Sequence, residues 1–119
     1  MSEDKLARLL IRFATTATAH HEALEAMDEE RGNAHAGMLA ALHRALVREG
    51  EPGLAGLLEL VDNDALVVAG MAAVYMIHLN PEHCLVTLHR VAQEPGLLGF
   101  RASVAIERWE TDEWEPLGE

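Results

Sequence analysis

The sequence is poor in the residues that most chemistry needs. One cysteine, Cys84, in 119 residues excludes a disulfide framework within the chain and any zinc site built from several thiolates. Ser2 and Ser103 are the only serines, and neither sits in the glycine-flanked turn that presents a serine nucleophile. Gly96 and Gly99 bracket a helix start but lack the pattern of a phosphate-cradling loop. Lysine and arginine total 9 against 20 acids, a net charge of −11. The nine bases are scattered, so no cluster exists to displace counterions from phosphates, and an acidic field repels nucleic acid and anionic membrane alike. No run resembles a signal peptide or is long enough to span a bilayer, which with the lone cysteine predicts a soluble, cytoplasmic protein.

What is present is apolar residues at helical spacing. They are half of the chain, enough to build a core, and the length suits one domain. Leu6, Leu9, Leu10, Phe13, Ala17, Leu24 and Met27 form one stripe, predicting a helix over 3–27 with Ser2 as its cap. The threonines at 15, 16 and 18 mark a candidate break. Asp28 caps a second helix, 29–49, whose buried face is Met38, Leu39, Leu42, Ala45 and Leu46, and Gly50 stops it. Pro52 opens a third at 53–61. The almost wholly apolar run 65–79 reads as a central helix, with a strand as the competing assignment because of Val67, Val68, Val74 and Ile77. Asn80-Pro81-Glu82 starts a fifth helix, 80–93, and a sixth at 97–109 carries Leu97, Leu98, Phe100, Val104, Ala105 and Ile106. The expected organisation is one helical domain over 1–109 and an acidic tail over 110–119.

Leu57-Leu58-Glu59-Leu60-Val61-Asp62, with Asp64, Val67 and Ala72-Ala73, resembles the two-helix HEAT or armadillo repeat. So does the stretch from Pro81-Glu82 through Leu85, Leu88, Val91-Ala92, Glu94-Pro95-Gly96 and Ala102 to Trp109. Together they resemble a small bacterial family of unknown function, over roughly residues 29–109. The resemblance implies an all-α fold of about six antiparallel helices in a short, right-handed HEAT-like stack. It implies no activity. The second helix of the first such repeat, in the run 65–79, carries Val68 where these repeats usually hold an arginine, so burial is expected there in place of a polar ladder.

Seven histidines stand out. His20 and His21 border the stripe of the first helix, and Glu25 lies one turn beyond His21. Imidazole and carboxylate together suit a metal or acid–base role, but a site needs three or four ligands, and only His35 is near enough to add one. The plainer reading is a pair of core-bordering histidines. Cys84 falls on the apolar face of its helix with His83 turned away, which reads as a small buried hydrophobe rather than a nucleophile. Glu22, Glu25, Asp28, Glu29 and Glu30 cluster at a helix end. Trp109 packs against the last helix pair, and Trp114 sits between Glu113 and Glu115 as a candidate contact residue.

These features predict a non-enzymatic, protein-binding helical domain without a cofactor. Its partner is expected to be a basic protein, in an inhibitor or immunity-type role, with Glu29, Glu30, Trp109 and Trp114 as binding candidates. Two other readings compete: a small metal-binding or hydrolytic protein using His20, His21 and Glu25, and a homodimer built on an open apolar helix face.

Overall fold

A computed structural model describes residues 2–113. Among them are six helices and no strand: α1 (Ser2–Glu25), α2 (Glu29–Arg48), α3 (Glu51–Leu60), α4 (Leu66–Met76), α5 (Pro81–Ala92) and α6 (Gly96–Glu110). The all-α class therefore holds, and 65–79, where a strand competed, is helical as far as Met76. The chain divides into two compact units, residues 2–59 and 60–113 within the described part.

In the first unit α1 packs on α2. Phe13, Ala17 and Ala23 of α1 are fully buried, as is Leu46 of α2, while Leu39 and Leu42 are nearly so. Small residues let the backbones approach: a Cβ on Gly32 would sit 3.2 Å from the Leu24 side chain. Lys5 Nζ lies 3.3 Å from Glu49 Oε2 at the other end of the pair. The threonine cluster does not break α1, because the Thr18 hydroxyl donates back to the Ala14 carbonyl at 3.1 Å and is accommodated within the helix. The helix begins at Ser2 itself rather than after a Ser2 cap. Two residues expected in the core are outside it. Met38 is 42% exposed on the outer side of α2, and Met27 lies beyond the end of α1 altogether.

In the second unit α4 packs on α5 and on α6, which also pack on each other. Seven of the eleven α4 residues are buried, including Val68, Ala69, Ala72, Ala73 and Tyr75, as befits a helix apolar on every side. Its partners contribute Cys84, Leu88, Val91, Ala102 and Ile106. Thr87, the buried polar residue of α5, donates its hydroxyl to the Val61 carbonyl at 3.2 Å, so the turn after α3 is tied to the middle of α5. His83 Nε2 meets Asp62 Oδ1 at 2.9 Å alongside. Phe100 and Leu79, expected inside, are instead 66% and 55% exposed, Leu79 lying in the turn beyond the end of α4 at Met76.

Two helix corners share a device. Gly50, after the last residues of α2, takes φ +79, and Gly96, after α5, takes φ +74, a left-handed conformation that favours glycine. Three residues on in each case stands a second glycine. A Cβ at Gly53 would collide with the Leu46 carbonyl, and one at Gly99 with the Glu94 carbonyl. Each incoming helix thus presses its first turn onto the backbone that precedes it.

Candidate contact surface

The turn between α1 and α2 is built by two complementary caps. Met27 N–H bonds the Leu24 carbonyl at 3.0 Å and Asp28 N–H bonds the Ala23 carbonyl at 2.9 Å, the paired closure that ends a helix on a left-handed residue. That residue is Met27, at φ +58. Asp28 then caps α2, its Oδ1 accepting from Arg31 N–H at 3.1 Å. Glu29 and Glu30 follow in the first turn, where the helix dipole favours carboxylates.

Two features of this tip work against folding. A left-handed methionine costs about 1–2 kcal/mol relative to glycine-like freedom at that position. Glu22 and Glu25 stand in the last turn of α1, which carries no basic residue, so their charges face the negative end of the helix dipole. Local rules broken together in this way are expected where a site is held for function rather than stability. At the apex Met27 is 91% exposed, with Glu22, Glu25, Asp28, Glu29 and Glu30 around it in sequence and Arg31 as the nearest base. Met27 was legible only as part of a hydrophobic stripe. The signal that separates it is its place immediately before the Asp28 cap, where a helix ends.

The sequence-derived candidates distribute as follows. Glu25, Glu29 and Glu30 all belong to this tip. His20 and His21 lie just inside it and are buried. His21 Nε2 reaches Glu25 Oε2 at 3.3 Å, while its Nδ1 is buried without a hydrogen-bond partner. Among the described residues no three histidine, cysteine or acidic side chains gather at metal-binding distance. Trp109 is half-buried in the last turn of α6. Trp114 lies outside the described residues. No family model, curated protein or solved structure matches the chain.

Cys84 is fully buried, and its thiol is pushed up to about 11, first by burial and then by the nearby Asp62 charge. It stays a protonated thiol at neutral pH and packs as a small hydrophobe. Burial also lowers the Arg101 guanidinium from its ordinary value. Among the described residues no helix is long and apolar enough to cross a membrane.

Proposed function

We propose that the chain is a protein-binding helical domain whose α1–α2 tip docks on a basic surface of another protein, in the manner of an inhibitor or immunity protein. The observation that supports it is the tip itself: an exposed methionine held at a backbone cost and flanked in sequence by carboxylates, two of them at the unfavourable end of a helix. The carboxylates would steer a cationic partner, and the thioether would supply a desolvated apolar contact. The overall charge of −11 acts in the same direction.

The helices read as HEAT- or armadillo-type pairs. Supporting this, the two glycine corners recur at one spacing, since 96 − 50 and 99 − 53 both give 46, within the period of such repeats. The contacts of Lys5 with Glu49 and of Leu24 with Gly32 support an antiparallel α1–α2 pair.

The test is capture of basic proteins from a lysate of the source cells by the wild type and by a variant carrying E22Q, E25Q, E29Q and E30Q. Capture runs at about 0.05 M and about 0.5 M salt, where the screening length falls severalfold. A basic protein held by the wild type at low salt, and released both by salt and by the four substitutions, is the expected result. Equal capture by the variant would refute the tip as the docking surface.

A further inference from the structure

We propose that Met27 is a site of reversible oxidation by hydroperoxides, the first to react of the thioethers among the described residues. Four methionines lie in the described residues, and they differ sharply in access. Met27 is 91% exposed and Met38 42% exposed, whereas Met71 is half-buried and Met76 is 2% exposed. Met38 is further occupied, because its sulfur accepts an N–H from Arg12 at 3.7 Å. Oxidation requires the sulfur lone pair to attack a peroxide oxygen, so access of solvent to the sulfur governs the rate.

The step balances without a cofactor. The sulfur lone pair attacks one oxygen of the hydroperoxide, the O–O bond breaks, and that oxygen stays on Sδ as the sulfoxide. The other oxygen takes up the proton that the transferred oxygen loses and leaves as water or alcohol. Sulfur is oxidised by two electrons and the peroxide reduced by two. Hydroperoxides are neutral, so the carboxylates that flank Met27 in sequence do not exclude them, whereas an anionic oxidant is repelled. No neighbour packs over the side chain, so the sulfoxide forms without opening the fold. It places a polar, chiral S–O group where the tip otherwise offers an apolar one, and thiol-dependent sulfoxide reductases reverse the change. The assignment of the site stands on exposure. Its effect on docking rests on the reading proposed above.

The experiment treats the full chain with graded hydrogen peroxide under native conditions. Peptide mass mapping then follows each methionine, and far-ultraviolet circular dichroism follows the helices. The expected result is a Met27 sulfoxide forming on the order of tenfold faster than those at Met71 and Met76, and severalfold faster than at Met38, with the helical signal unchanged. M27L removes the fast internal site. Met38 or Met71 reacting as fast as Met27 would overturn the proposal, and so would loss of helix in step with Met27 oxidation. Neither outcome depends on any partner, so the docking proposal and this one fail separately.

Discussion

Raising the pH should destabilise the fold through a single thiol. Cys84 is fully buried on α5, and its thiol ionises near 11 in the folded chain against 9.0 when free. The folded value lies above the unfolded one, so between them the folded chain holds a proton that the unfolded chain has released. Stability is therefore fully present below about pH 9 and is lost as pH rises towards 11. The interval corresponds to roughly 3 kcal/mol. That is a large part of the 5–15 kcal/mol typical of a domain, so it is readily measured. The assay is urea unfolding of the wild type and of C84A at intervals from pH 8 to pH 11.5. Removing the sulfur costs C84A a roughly constant amount from the smaller side chain, so the informative quantity is the difference between the curves. The wild type should lose roughly 3 kcal/mol more than C84A across the window. Effects of pH that do not involve the thiol are common to both proteins and cancel in that difference. Parallel curves would refute the reasoning and show that the thiolate is tolerated where it is formed.

Other perturbations follow from the same geometry. Gly53→Ala and Gly99→Ala should each lower stability by about 2–3 kcal/mol, because the new Cβ meets backbone that cannot move aside; Gly37→Ala, with open space around it, should instead raise stability by about 0.5–1 kcal/mol, and thermal unfolding of the three variants checks the contrast. Thr87→Val should cost about 1–3 kcal/mol by stranding the buried Val61 carbonyl, seen as a drop in the denaturant midpoint without a change in slope. Met27→Gly should stabilise the fold by about 0.5–1 kcal/mol through relief of the left-handed backbone, and a lower Tm would show that the methionine serves folding after all.

The helices were legible where period and punctuation agree. Asp28, Gly50 and Asn80-Pro81 each mark a boundary by a local mechanism, and the structure places them at boundaries. Met27, Met38 and Phe100 separate spacing from burial. All three satisfy the spacing of a buried stripe, yet burial depends on what packs against the stripe, which spacing does not contain. Phe13 and Met27 fit one helical pattern and end at 0% and 91% exposure because the helix stops two residues short of the methionine. The tip was half legible. Its acids stood out as a run, but the left-handed turn that lifts Met27 among them is made by backbone hydrogen bonds, and a methionine gives no sign of that conformation where a glycine would. The Gly50–Gly53 and Gly96–Gly99 corners were written in the chain as a spacing. Their meaning, a first turn pressed onto a carbonyl, needed the fold.

The character of α4 sets a constraint on how the chain comes into being. Nearly every side of that helix is apolar, and the elements that cover it, α5 and α6, are encoded after it. A ribosome therefore releases an uncovered hydrophobic segment first and its cover about 35 residues later, a delay of roughly 2–7 s at ordinary synthesis rates. During that interval the segment is a substrate for chaperones and for self-association. Any truncation that ends before α6 makes the interval permanent. Expression of a shortened chain ending at residue 92 should yield insoluble protein, and the shortest manageable chain is one that reaches the end of α6 at Glu110.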